Sequence, residues 1–517
     1  MKIAIIFLLS GLTGFLSLSQ EIIWIRILMY ATGGIPQVFA YVLGFFLIGI
    51  AVGSWWSKRQ IEDGININLI SKLFFTSSII FYISTAIISY FYSSFSGITI
   101  CILIILPTTF SGAIFPIITH FSAKSENTGQ YTSWIYFFNI IGSVLGSGIT
   151  GFYLLEYYSL TDIVLFLLIS GLIVSASIKL FNFESKNYNY SLAISILALI
   201  IFYFNDNIFE NYFEKIHFKH NYSEGVNYKH LNENRSGIIS TLFDHDINCD
   251  IIYGGGVYDS CFNIKPDGPN AIDRIYAIVK LHKAPKKILI IGLSSGSWVR
   301  ALSYSKNIEK IDVIEINHGY LDLIKHYSEH SKIFNDPRIS IYIDDGRRWL
   351  TRSKEKYDFI LMNTTFHWRS YISNLVSTEF LSIIKNHLKN DGVVYYNTTG
   401  SQDIIYTAAN NFKHVTTYSN FVAASDSPIK IDSIFAENFA SSFKNNGEDV
   451  LNGTIAIKRI LNHPFNDVRE KFISRKDLYE ITDDNMAVEY KKPLKNIYNP
   501  ELSWFKMLNR IFLSYPN

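Results

Sequence analysis

Long apolar runs separated by short polar connections fill the first 204 positions of this 517-residue chain. A helix needs about 20 apolar residues to cross a bilayer core. Ile3–Ser19, Pro36–Trp56, Leu69–Phe91, Ile98–Thr119, Trp134–Leu155 and Asp162–Leu180 meet that need and predict membrane spans. Tyr190–Phe204 is a seventh, shorter run. So many spans keep the chain in the bilayer whether or not the first run is a cleaved leader. Beyond them the pattern changes. Between about Asn227 and Tyr258 it reads as short strands and turns, including Gly237–Leu242 and Asp250–Tyr253, with Gly254-Gly255-Gly256 as a turn. After Pro285, strands predicted at Lys287–Ile291, Lys310–Ile316, Arg338–Ile343, Tyr357–Met362 and Gly392–Asn397 alternate with helices from Trp298, over His318–Ser328 and over Thr378–Leu388. That rhythm predicts a doubly wound parallel sheet with its ligand at the strand carboxyl ends.

The expected fold class is therefore a multi-pass α-helical membrane domain followed by an α/β Rossmann-like domain with a small β segment before it. The expected divisions are 1–204 (membrane helices), 205–284 (linker and β segment), 285–425 (the doubly wound α/β domain) and 426–517 (C-terminal extension).

Charge sharpens this division. Of 46 Lys and Arg and 44 Asp and Glu, 15 lie in the first 204 positions. The net charge of +2 and the lack of a Lys/Arg block argue against a nucleic-acid partner and leave the lipid bilayer as the first one. Lys2, Lys58, Arg59, Lys72, Lys124, Lys179 and Lys186 fall on one face of the predicted bundle and Arg26 on the other, which makes the first face cytoplasmic. A cytosolic soluble domain then requires that Tyr190–Phe204 does not cross or that the first long segment crosses twice. The expectation taken is a cytosolic domain, on the chemistry of the candidate site at the strand carboxyl ends. Glu21 and Arg26 are read as interfacial, and Gly44, Gly49, Gly53, Gly142, Gly146 and Gly151 as sites of close helix packing. Cys249 and Cys261 could pair only in an extracytoplasmic domain, and without CxxC or His-rich spacing no metal is expected.

The candidate site lies at the predicted strand ends. Gly292 and Gly296 permit close backbone approach to a ligand and open a helix, with Ser295 between them. Glu315 is placed to accept from ribose hydroxyls, and Asp345, followed by Gly346, from an adenine amino group.

These residues, in this order, resemble the spermidine synthase family. The counterparts of its motifs are Gly292–Ser297, Val313-Ile314-Glu315-Ile316, Asp345-Gly346 and Tyr357-Asp358, over about Asn227 to Phe412. Glu21-Ile-Ile-Trp-Ile-Arg26, Ile481-Thr-Asp-Asp-Asn485 and Val488-Glu489-Tyr490 look like features of the membrane-fused members. The resemblance implies a transferase that uses S-adenosylmethionine or its decarboxylated form as substrate and an amine as acceptor. The chain departs from the family pattern where that chemistry is done. Ser295 replaces an Asp, Asn317 a second acid, and Asn363 the first Asp of the loop after Tyr357-Asp358, whose catalytic Asp falls at Phe366 or His367. The catalytic expectation is that His367 acts as general base, Arg369 holds an anionic group and Asn363 and Thr364 hydrogen-bond.

The leading reading is a membrane-bound aminopropyltransferase-like enzyme with an altered acceptor, either an amine or an anionic metabolite. The alternatives are an S-adenosylmethionine-dependent methyltransferase and a non-catalytic nucleoside-binding membrane protein or transporter. Oligomeric state is left open.

Overall fold

The structure is a computed structural model and describes residues 3–64, 67–91, 97–122, 128–180, 188–363 and 365–491. It forms two compact units. One runs to Asn227 and takes in Glu233–Arg235; the other begins at Tyr228 and resumes at Ser236.

Among the described residues, seven helices of the first unit are long and apolar enough to cross a membrane. They are α1 (Ile3–Thr32), α2 (Gln37–Glu62), α3 (Asn68–Phe91), α4 (Gly97–Ser122), α5 (Thr128–Ile149, continued through one wide turn to Tyr157), α6 (Leu160–Leu180) and α7 (Tyr188–Ile208). A helix satisfies its backbone polar groups within the segment, which suits runs this apolar. Two features differ from the pattern expected of the sequence. α1 is one unbroken helix that includes Glu21 and Arg26, so it does not cross twice, and the short seventh run is a helix of 21 residues.

Small residues set the helix crossings. A Cβ at Gly142 would stand 1.9 Å from the Gly11 carbonyl, at Gly146 2.3 Å from that of Phe15, and at Gly53 1.9 Å from that of Thr109. Backbones this close leave room for short polar links. Ser10 donates to the Ile135 carbonyl (2.7 Å) and Asn139 to that of Ser10 (3.1 Å), both between α1 and α5. Gly44 and Gly151, which share the same sequence spacing, face open space.

The second unit opens with a four-stranded sheet ordered β1 (His230–Asn234), β2 (Gly237–Asp244), β3 (Cys249–Gly254), β4 (Tyr258–Cys261). Its main sheet has seven strands: β5 (Lys287–Ile291), β6 (Lys310–Glu315), β7 (Ile339–Ile343), β8 (Tyr357–Met362), β9 (Leu388–Asn397), β10 (His414–Tyr418) and β11 (Phe421–Ser425). Their order is β10-β11-β9-β8-β5-β6-β7. The strands from β9 through β7 pair in parallel, while β11 pairs antiparallel with both β9 and β10. The sheet is thus mixed, because β10 and β11 form a hairpin on one edge.

Both faces of the sheet are buried, which explains the unbroken apolar runs in its strands. Ile288 and Ile290 point into one core and Leu289 and Ile291 into the other. The segment after 425 is part of this packing. Ala436, Phe439, Phe443, Ile457 and Ile460 join the first core, and Ile481 and Val488 the second.

Overpacking a tight helix crossing costs about 1–3 kcal/mol or more. Gly146→Leu should therefore lower the thermal midpoint of the detergent-solubilised protein by several degrees, with Gly44→Leu close to neutral. Intrinsic fluorescence on heating measures both, and equal shifts would mean that the α1–α5 crossing is misassigned.

Candidate functional site

The site forms where β5 ends, since its neighbours β6 and β8 lie on opposite sides and the connecting chain diverges there. Gly292 leaves β5 with φ +94°, and a Cβ there would stand 3.0 Å from the Asn363 carbonyl. Asn363 itself follows β8 and donates its backbone N–H to the Ile291 carbonyl (3.0 Å). Gly296, at φ +72°, leads into the short helix Ser297–Ser303.

Glu315 ends β6 and is buried. One of its oxygens accepts from the Leu293 N–H (2.7 Å) and the other from the Asn317 N–H (2.8 Å). The carboxylate thereby ties the turn after β5 to the turn after β6. Burial pushes its pKa up to about 7, against the opposing pull of these N–H groups, and the nearby Asp259 charge adds to the rise.

A second carboxylate closes the site. Asp259, on β4, accepts from the Tyr320 hydroxyl at 2.6 Å. Burial raises its pKa, opposed by the Tyr320 and Ser294 hydroxyls and by the Arg369 charge. The glycine triplet makes room for these groups. A Cβ at Gly254 would lie 2.5 Å from the Tyr320 hydroxyl and 3.6 Å from an Asp259 oxygen, and one at Gly255 2.7 Å from the Arg369 guanidinium. Arg369 also donates to the Thr365 hydroxyl (3.0 Å). Tyr320 thus feels the charges of Asp259, Glu315 and Arg369, and Asp259 acts on Glu315 while Arg369 acts on Asp259.

The other expected residues are placed as follows. Asp345 caps the helix Gly346–Arg352 by accepting from the Arg348 N–H (2.8 Å), and a Cβ at Gly346 would stand 2.7 Å from Ile291. Ser295 is buried, with its hydroxyl bonded to Ser260 (2.8 Å) and Ser297 (2.6 Å). Thr364 lies outside the described residues.

The placement of His367 does not suit a general base. It is buried, with Nδ1 2.7 Å from the Thr399 hydroxyl and Nε2 3.1 Å from the Lys491 carbonyl. A carbonyl only accepts, so Nε2 carries the proton and Nδ1 spends its lone pair on Thr399. Burial lowers the ring's pKa and keeps it neutral. No lone pair is left for an incoming acceptor, and the residue acts as a clasp on its loop.

That clasp belongs to a C-terminal strap. Asp483 pairs with both terminal nitrogens of Arg347 (2.7 and 2.5 Å) and accepts from Ser377, Glu489 holds the Ser373 hydroxyl (2.5 Å), and Lys491 donates to Asp403 (2.6 Å). Among the described residues one group of three potential metal ligands gathers, His282, Asp358 and Asp391, at the amino end of the strands. Asp358 there is already satisfied by Lys389 and the amides of Lys286 and Lys287.

Sequence reasoning saw Asp259 only as one of the few acids left in the degenerate acceptor-binding stretch that the resemblance implies around Tyr258–Tyr276, missed Tyr320, and did not see what the glycine triplet accommodates. Asp259 and Tyr320 are 61 positions apart, and no local pattern shows that they meet.

Residues 276–445 match the family described as spermine/spermidine synthase domain. The polyamine aminopropyltransferase of Buchnera aphidicola subsp. Acyrthosiphon pisum is 35% identical over 114 residues, 22% of this chain and 40% of that protein. The polyamine aminopropyltransferase of Streptococcus pneumoniae serotype 4 is 28% identical over 123 residues, 24% of this chain and 43% of that protein. The chain thus spans less than half the length of these relatives. A crystal structure of spermidine synthase in complex with the transition state analogue AdoDATO aligns with a TM-score of 0.37 at 21% identity, over 45% of this chain and 88% of that one.

A ribose held at Glu315 would donate its hydroxyls more strongly to the ionised carboxylate than to the neutral acid, whose carbonyl oxygen alone accepts well. Because burial raises its pKa to about 7, nucleoside affinity should fall as pH drops below 7, by up to about tenfold per unit. Calorimetric titration of the full-length protein with methylthioadenosine between pH 6 and 8 measures this. Glu315→Gln should weaken binding and flatten the pH profile, and an unchanged profile in that variant would remove Glu315 from the ligand.

Proposed function

We propose, from the premise that residues 276–445 carry a spermine/spermidine synthase domain, that this protein is a membrane-bound aminopropyltransferase-type enzyme whose acceptor bears both an amine and an anionic group. Decarboxylated S-adenosylmethionine is the donor in this reading. Glu315 would hold its ribose, with Gly292 letting the backbone approach and Asp345 and Gly346 bordering the base. The membrane location rests on the seven long apolar helices.

The observation that carries the reading is the Asp259–Tyr320 pair beside Arg369, held against Gly254 and Gly255. An amine must lose a proton to become a nucleophile, and a partly desolvated carboxylate is suited to take it. Asp259, whose pKa burial raises, is assigned that role in place of His367. The amine nitrogen then bonds to the sulfonium-bound carbon, the carbon–sulfur bond breaks with its electron pair on sulfur, and a neutral thioether nucleoside leaves. The proton stays on Asp259. Holding both reactants in one cleft supplies the proximity that the displacement needs.

Arg369 sets the acceptor class. Putrescine carries two ammonium groups, and a guanidinium in the cleft repels the second one, while Asn363 offers only a neutral amide. A carboxylate or phosphate on the acceptor would pair with Arg369 instead.

Assays of the full-length protein with decarboxylated S-adenosylmethionine should give ornithine a kcat/KM about tenfold or more above that of putrescine, since a charge-assisted contact contributes about 1.5–3 kcal/mol. Arg369→Gln should reverse the preference, and Asp259→Asn should lower kcat about a hundredfold or more. Equal or faster use of putrescine by the unmodified protein would overturn the acceptor assignment. Methyl transfer from S-adenosylmethionine, without aminopropyl transfer, would replace the reaction class.

A further inference from the structure

We propose that the nucleoside-binding unit works on the non-cytoplasmic face of the membrane. The reasoning is independent of the reading of the site given above and starts from the helices. α7 enters the bundle beside the end of α6, where the Ser175 hydroxyl lies 3.1 Å from that of Tyr190 and Ser191 donates to the Ala176 carbonyl (3.3 Å). The start of α3 is at the same level, since Ser71 donates to the Ser175 carbonyl (2.8 Å). α7 leaves beside the end of α3, where Tyr82 donates to Asn205 (3.0 Å) and Tyr90 to the Ile208 carbonyl (3.0 Å). Between these contacts it rises by roughly 27 Å, close to the thickness of a hydrocarbon core. Leu192, Leu199, Phe202 and Tyr203 are exposed along it, as residues facing lipid would be. α7 therefore crosses, and with α1 unbroken the number of crossings among these helices is odd.

Charge gives the direction. The face at which α2 and α6 end and α3 and α7 begin carries Lys58, Arg59, Lys72 and Lys179, and the connections on that face add Lys124 and Lys186. The helix-to-helix connections on the opposite face contain no Lys or Arg; the cations beside that face are Arg26 near the end of α1 and, in the chain after α7, Lys215 next to Tyr90 and Arg235 next to Glu156, against six on the first face. The Lys/Arg-rich face is the cytoplasmic one. The chain leaving α7 is then on the other side. It shows itself there again, since Arg26 donates to the Asn234 carbonyl (2.6 Å) and Glu233 accepts from the Leu160 N–H (3.0 Å), at the end of α1 and the start of α6.

The soluble unit supplies a second, chemical observation. Cys249 and Cys261 are joined as a disulfide, with Cα atoms 6.1 Å apart, while Cys101 is buried in α4. The bond staples β3 to β4, the strand that carries Asp259. Disulfides persist in oxidising compartments and are kept reduced in the cytosol. The earlier expectation of a cytosolic domain came from where the donor is made, not from the chain. If the proposed transfer also holds, the sulfonium nucleoside must be carried across the bilayer before use, because a charged solute is costly to place in hydrocarbon.

The test uses the full-length protein in bacterial spheroplasts and needs no activity. A membrane-impermeant polyethylene glycol maleimide should leave Cys249 and Cys261 unmodified until a membrane-impermeant reductant is added, then shift the band by two adducts in intact spheroplasts. The double variant Cys249→Ser, Cys261→Ser should show no such shift. Alkaline phosphatase fused after Asn517 should be active and a green fluorescent protein fusion there dark, which keeps the proposal testable if the variant fails to fold. Modification of the pair only after lysis, without reductant, or a fluorescent fusion with inactive phosphatase, would overturn it.

Discussion

A single buried carboxylate holds the ligand-facing end of the sheet together. Glu315 takes one N–H from the turn after β5 and one from the turn after β6, so two loops that must diverge at the switch point keep a fixed spacing. Burying an acid without donors would cost several kcal/mol, and the two N–H groups offset part of that. The compromise shows in a pKa raised to about 7, pushed up by burial and held back by the two N–H groups. Gly292 belongs to the same arrangement, since its positive φ lets the first turn reach both Glu315 and the Asn363 carbonyl.

Around that point the cleft is closed from two directions. The glycine triplet after β3 makes room for the ends of Tyr320 and Arg369, and β4 brings Asp259 to Tyr320. From the other side the C-terminal strap fixes the loop after β8 through His367, whose ring is neutral and bonded at both nitrogens. The acidic residues of the strap serve structure. Asp483 neutralises Arg347 and Glu489 orders the backbone at Ser373, so the strap is held by ion pairs and hydrogen bonds where it crosses the helices beside the cleft. A loop secured in this way can present Arg369 at one position, which a solvated loop could not do.

The helical unit follows other physics. Close backbone approach at Gly11, Gly142 and Gly146 and short hydroxyl links set its packing.

The sequence alone determined the features that depend on local composition: apolar runs long enough to span, strands reading as continuous apolar stretches, and a glycine turn followed by Glu315 and Asp345. These are legible because period, length and turn chemistry are properties of neighbouring residues. Tertiary structure decided the rest. It placed Asp259 against Tyr320 across 61 positions, turned His367 from a candidate base into a clasp by bonding both of its nitrogens, drew the segment after 425 into the cores, and separated Gly142, which needs its lack of a side chain, from Gly44, which does not. It also extended Tyr190–Phe204 into a full helix with partners at both ends. In each case the deciding contact joins residues far apart in the chain, where no local pattern reaches.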